Sequence, residues 1–261
     1  MRIVCVLLIW MAILPVCRAA DRYVATNGND DAANPGTSWD IALRSISNGV
    51  AKATTAGDVV WVSNGVYVVT NSITIQTTAI TLRGQDRTNT ILQGGYPAIT
   101  NRGILLYNSG ATVEEFTITQ CAYGSGASSE GGGVRLMSGT LRKCIITRNY
   151  ANSAAGVFVY DASCLMTNCE ISSNTSFGSA GGVYINNGKV WNCTIFSNSC
   201  PNAGSSGGGV YMPGAGIIAN STISNNYSYG SGAGCYITAG VISNCTVANN
   251  WIPPPPIPPP I

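Results

Sequence analysis

Five segments between residues 131 and 250 open alike and close alike. The openings are "GGGVRL" (131–136), "AAGVFV" (154–159), "AGGVYI" (180–185), "GGGVYM" (207–212) and "GAGCYI" (232–237). The closings are "KCIITRN" (143–149), "NCEISSN" (168–174), "NCTIFSN" (192–198), "NSTISNN" (220–226) and "NCTVANN" (244–250). Val134, Val157, Val183, Val210 and Cys235 are equivalent, at steps of 23, 26, 27 and 25 residues. A period of this size is the mark of a solenoid, whose units bury their apolar faces only against one another. Within a unit the apolar residues alternate, Val183 and Ile185 flanking Tyr184, Cys193 and Ile195 flanking Thr194. Alternation means strand. The segments are short and punctuated by Gly, Asn and Ser, which supply turns. Two or three short strands in about 25 residues make one coil of an all-β, right-handed parallel β-helix, with coils stacked about 4.8 Å apart.

That geometry assigns the columns. Val134/Val157/Val183/Val210/Cys235, Leu136/Val159/Ile185/Met212/Ile237 and Ile146/Ile171/Ile195/Ile223/Val247 point inward. Cys144, Cys169, Cys193 and Cys245, with Ser221 on the fourth rung, form another column. Buried thiols behave as small apolar groups, so this reads as core packing, although adjacent rungs lie within disulfide reach. Asn168, Asn192, Asn220 and Asn244 stand where a sharp bend is needed, and Asn suits left-handed backbone and rung-to-rung amide bonding. A second column, Asn149/Asn174/Asn198/Asn226/Asn250, ends the same strand. Asn174, Asn192, Asn220 and Asn244 also fit the N-glycosylation acceptor pattern, but their repeat positions favour the structural role.

The flanks differ from the repeats. Residues 1–20 place Arg2 before an apolar run, Ile3 to Cys17, and end on Ala19 and Ala20, the layout of a secretory signal peptide. The run is too short for a membrane span, so the expectation is a secreted or outer-surface protein with no integral membrane segment. Tyr23–Ala25 and "DVVWV" (58–62) read as strands and "NGVY" as a turn. Ile41, Leu43, Ile46 and Val50 give a helical stripe capped by Thr37 or Ser38. Residues 21–67 therefore make an N-terminal cap and first coil, and 131–250 are the regular coils of one β-helix spanning 21–250. The tail 251–261, "WIPPPPIPPPI", cannot continue a β-ladder because proline lacks the donor.

The opening "YVATNGND…NPGTSWDIAL…AGDVVWVSNGVY" resembles the start of secreted bacterial right-handed parallel β-helix proteins of the pectin-lyase-like superfamily. The paired [GA]G[VC] and [IV]xxN motifs are similar to the repeats of polymorphic outer membrane proteins, with Ile or Val where those carry Phe. The resemblance implies export, a β-helix, and either adhesion or polysaccharide handling.

Chemistry is sparse. Only 9% of the 261 residues are charged, the net charge is +2, there is no His, and no basic cluster stands in the sequence, so neither nucleic acid nor a cofactor or metal is expected. Glycoside hydrolysis needs paired carboxylates in one groove. Glu114 and Glu115 are adjacent and on a strand would face opposite ways; Glu130, Asp161 and Glu170 stand singly. No catalytic residues are assigned. The residue after each inward Val gives one outward column, Arg135, Phe158, Tyr184, Tyr211 and Tyr236, an aromatic stripe suited to sugar stacking or to bracing the sheet. The reading is a monomeric, non-catalytic β-helix that contacts polysaccharide, or a cell-surface glycan or protein. The alternative is a lyase or hydrolase relative acting on polyuronates.

Overall fold

The computed structural model describes residues 19–124 and 130–254. The apolar run of the expected signal peptide and most of the proline tail lie outside the described residues. Each regular coil contributes one strand to each of four parallel sheets. The coil that contains Tyr184 runs through Val183–Ile185, Lys189–Trp191, Thr194–Phe196 and Ser199–Cys200. The sheets hold seven, nine, eight and five strands respectively; for brevity they are named C, A, B and D. All pairings are parallel and in the register that the columns predict: Val134 faces Val157, which faces Val183, then Val210, then Cys235. Ile146, Ile171, Ile195, Ile223 and Val247 align likewise. Sheet A adds an inward column that begins at Val60 and continues through Leu82, Val113, Leu141, Met166, Val190 and Ile218, all fully buried. Burying one such side chain stabilises by about 1.5–3 kcal/mol, and every rung repeats the gain. The last rung is different: Ile242 and Val247 hold the same column positions and are exposed.

Bends between sheets use left-handed backbone. Asn168, Asn192, Asn220 and Asn244 have φ between 49° and 56°, as expected, between sheets A and B. These amides are solvent-exposed and bond in pairs, Asn192 to Asn168 and Asn244 to Asn220. The buried amide ladder is the second column. Asn174 Oδ1 accepts from both the backbone N–H and Nδ2 of Asn149, each at 3.0 Å, and its Nδ2 donates to Ile146 O and Asn198 Oδ1, each at 2.9 Å. The unit repeats through Asn198, Asn226 and Asn250, and begins at the Cys121 N–H. Asn174 is therefore closed to glycosylation, whereas the other three acceptor asparagines are exposed.

The thiols do more than pack. Cys121, Cys144, Cys164, Cys169, Cys193, Cys200, Cys235 and Cys245 are all free. Cys144, Cys169, Cys193 and Cys245 each donate Sγ–H to the carbonyl two residues back at 3.3 Å, and Ser221 Oγ does the same to Ala219 O at 2.8 Å. Burial pushes the Cys169 thiol well up and takes Cys121 to about 12. Such thiols are neutral and not nucleophilic.

The N-terminal end departs from expectation in three places. The helix is shorter, Ile46–Lys52, and its cap is Ser45, whose Oγ accepts from the Asn48 N–H. Leu43 belongs to a bridge with Val24, donating to Tyr23 O and accepting from Ala25 N–H, and the left-handed Gly36 turns the chain there. Ile41 is exposed. "NGVY" is not a turn: Gly65–Val68 is the first strand of sheet B, paired with Thr90–Gln93. The short helix still closes the core, with Ile46 buried and Gly49 seated against Val24 and Val60.

Candidate functional site

The five stripe residues lie on consecutive rungs of sheet C, Arg135 beside Phe158, then Tyr184, Tyr211 and Tyr236. Their rings meet one another, with centroids 5.0 Å apart for Phe158–Tyr184, 5.1 Å for Tyr184–Tyr211 and 5.4 Å for Tyr211–Tyr236. Arg135 pairs with Glu130 at 3.3 Å and lies 5.6 Å from the Phe158 ring. Phe158 is buried with Ala154 and Ala180, and the tyrosines are half-buried. Contacts of this kind stabilise a sheet, and the Tyr211 and Tyr236 rings stack face to face.

The chemistry gathers elsewhere, on sheet A. The tripeptide Thr-Leu-Arg occurs at 81–83 and at 140–142, and Thr112-Val113-Glu114 lies between them in register. With Leu82, Val113 and Leu141 inward, Arg83, Glu114 and Arg142 must line up outward. Glu114 is 3% exposed and both its oxygens are engaged: Arg83 Nε donates to Oε1 and Arg142 Nε to Oε2. Only the Nε edges are used. The terminal N–H groups of both guanidiniums find no further partner among the described residues and face an open groove of about 700 Å³. Trp61, on the preceding rung, lies under Arg83 at 4.8 Å from its ring centroid.

The groove continues over the bend into sheet B. Glu115 has φ 61° and Lys143 φ 53° at the position that later coils give to Asn. A non-Gly, non-Asn residue in this region costs on the order of 1 kcal/mol, which these two bends share with Gln120, Arg148, Ser173 and Ser197. The turn also overrides the expectation that Glu114 and Glu115 face opposite ways, because Glu115 has left the strand and both line the groove. Glu115 pairs with Lys143 at 3.2 Å, and Arg87 and Asp86 complete the wall. A cluster of four basic and three acidic side chains, absent from the sequence as a run, is thus assembled from three coils. Its one sequence signal is the recurring Thr-Leu-Arg around an intervening acid.

Burial acts to raise the Glu114 carboxyl, and the hydrogen bonds from Arg142 and Arg83 outweigh it, holding the group below the usual carboxylate range. A depressed native value stabilises the fold above the unfolded-state value of about 4.3, and the contribution is lost as pH falls through the lower native value. Glu114→Gln is expected to cost about 1–2 kcal/mol at pH 7, modest because both guanidiniums are partly exposed. It should also flatten the acid limb of the stability curve below about pH 4. Denaturant titrations from pH 7 to 3 check both; parallel acid limbs would contradict the assignment.

The comparisons agree with this architecture. The family model for a right handed beta helix region matches residues 102–253, and the chain belongs to that family. Among solved structures, pectin methylesterase from carrot superposes with a TM-score of 0.53 at 14% identity, covering 88% of this chain and 83% of that one. Pectin methylesterase PemA from Erwinia chrysanthemi gives 0.46 at 13% identity over 82% of this chain and 81% of that one. At these identities the likeness is one of fold alone, a right-handed parallel β-helix. No curated protein sequence matches the chain. Among the described residues no helix is long and apolar enough to cross a membrane, and no group of three or more His, Cys, Asp or Glu is placed to hold a metal.

Proposed function

We propose that the protein is an exported, non-catalytic β-helix that binds acidic polysaccharide in the sheet A groove. The observation that carries the reading is the Glu114 clamp. One buried carboxylate holds two guanidiniums by their Nε edges and so presents two sets of terminal N–H donors in a fixed arrangement. Guanidinium forks suit planar carboxylates, and preorganisation reduces the ordering that binding would otherwise require. Trp61, beneath the Arg83 guanidinium, helps to hold it in place. The same clamp argues against Glu114 as a hydrolytic acid: it is held ionised with both oxygens engaged by Arg83 and Arg142.

Polygalacturonate is the probe. The protein should bind it in a salt-sensitive manner, and Arg83→Ala/Arg142→Ala should weaken binding by at least about tenfold, one lost charge-assisted bond being worth roughly 1.5–3 kcal/mol. Arg83→Lys/Arg142→Lys keeps the charge and removes the fork, and should fall in between. Absence of binding, or binding indifferent to both pairs, refutes the reading. Release of shortened or unsaturated products would establish the lyase or hydrolase alternative instead.

A further inference from the structure

The corner formed by sheet D carries a second feature, which neither the groove nor the stripe uses. Tyr96, Thr100, Tyr123, Tyr150, Asn152 and Phe177 line a cleft of about 280 Å³. Its aromatic walls are fixed from behind. Tyr96 stacks on Tyr150 with centroids 4.2 Å apart and planes 25° from parallel. Tyr123 lies against the Arg102 guanidinium at 3.8 Å. Arg102 is itself 4% exposed, and its N–H groups donate to Glu130 O and Gly131 O at 2.9–3.1 Å. The Phe177 backbone is held on both sides, its N–H by Ala151 O and its carbonyl by the Asn202 amide. Even so, Tyr123 and Phe177 remain 37% and 44% exposed. The braced Tyr96, Tyr150 and Tyr123 rings are a preformed surface, which a ligand can cover at little conformational cost.

We infer that this cleft binds a neutral saccharide. Among the described residues no carboxylate, ammonium or guanidinium lines it, so it offers no counter-charge to a uronate. It offers flat apolar ring faces, rimmed by the Thr100 hydroxyl, the Asn152 amide and tyrosine hydroxyls. A pyranose has the complementary make-up, with an apolar C–H face and a rim of hydroxyls. The volume, at the small end of ligand sites, suits one ring of a longer chain. The site and its ligand class are independent of the acidic groove, so either can fail while the other stands.

The test is calorimetric titration with cellohexaose, xylohexaose and mannohexaose, with the groove probe polygalacturonate as comparator. At least one neutral hexasaccharide should bind, and Tyr123→Ala and Phe177→Ala should each weaken it by about tenfold or more. Tyr123→Phe should retain binding. Tyr229→Ala, an exposed ring outside the cleft, should leave it unchanged. Thermal melts accompany each variant, and the two truncated rings lie at the surface, so folding is expected to survive. The inference is overturned if no hexasaccharide binds, if neither truncation weakens binding, if Tyr229→Ala weakens it equally, or if a decaproline peptide binds where no sugar does.

Discussion

Asn174→Ala is expected to destabilise the protein by about 3–4 kcal/mol and to lower its melting temperature by roughly 10 °C. The side chain is fully buried and makes four hydrogen bonds within 3.0 Å. Truncation leaves the Asn149 backbone N–H without its acceptor and withdraws the Nδ2 donor from Ile146 O, with no solvent to replace either. Each buried orphan costs about 1–3 kcal/mol. The comparison that isolates the effect is Asn192→Ala. Asn192 bends the chain in the same coil, but its amide is exposed and meets only Asn168. Water can replace that bond, so the loss should stay below about 1 kcal/mol apart from the left-handed backbone preference. Equal losses at the two positions would show that the ladder is not what holds the coils. Because solenoid coils interact chiefly with their neighbours, amide exchange should accelerate first at Asn149 and in the strands on either side of Asn174.

The two asparagine columns also mark how far the sequence can be read. Their spacing placed both on consecutive rungs, and alternation placed Val183, Ile185 and Ile195 inside, because a parallel coil has only one register that buries every Ile and Val. Which asparagine faces inward depends on backbone angle. The left-handed Arg148, Ser173, Ser197, Asn225 and Asn249 each precede a ladder residue and swing it into the core. Periodicity carries no information about that. The groove escaped for a related reason. Arg83, Glu114 and Arg142 are 28–31 residues apart, and they meet only because three coils stack; the left-handed Glu115 then breaks the alternation that had sent it to the opposite face. The N-terminal helix shows the opposite error. Ile41 and Leu43 fit a helical period, but Leu43 gains more as the bridge partner of Val24, and Ser45 takes the cap. The cleft was least legible, since Tyr96 belongs to an irregular coil with no repeat to compare.

Gly182→Ala should be as damaging as the loss of a ladder amide, although it adds only a methyl group. Gly182 has ordinary negative φ, so alanine there would by itself stabilise by about 0.4–1 kcal/mol through the unfolded chain. Sterics reverse the sign. A Cβ would lie 2.5 Å from Gly209 O on the next rung, and 3.0 Å from both Asn198 Nδ2 and Ile195 Cγ2. The carbonyl cannot retreat, because adjacent rungs are tied about 4.8 Å apart by strand hydrogen bonds on every sheet. The amide cannot retreat either, being itself a ladder member. The equivalent glycines Gly133, Gly156 and Gly209 would meet the next rung's carbonyl at 2.8, 2.4 and 2.6 Å. The residue before the inward Val or Cys is Gly in all five coils, and in the first four a Cβ there would meet the next rung's carbonyl. Overpacking of this kind costs about 1–3 kcal/mol, and the rigid backbone neighbour places Gly182→Ala at the upper end. Gly204→Ala is the control: its Cβ meets nothing within 4 Å, but its φ is +79°, so it loses only the conformational preference, about 1 kcal/mol. Denaturant melts should rank Gly182→Ala well below Gly204→Ala in stability. The reverse order would mean that the glycine serves backbone freedom and not the close stacking of coils.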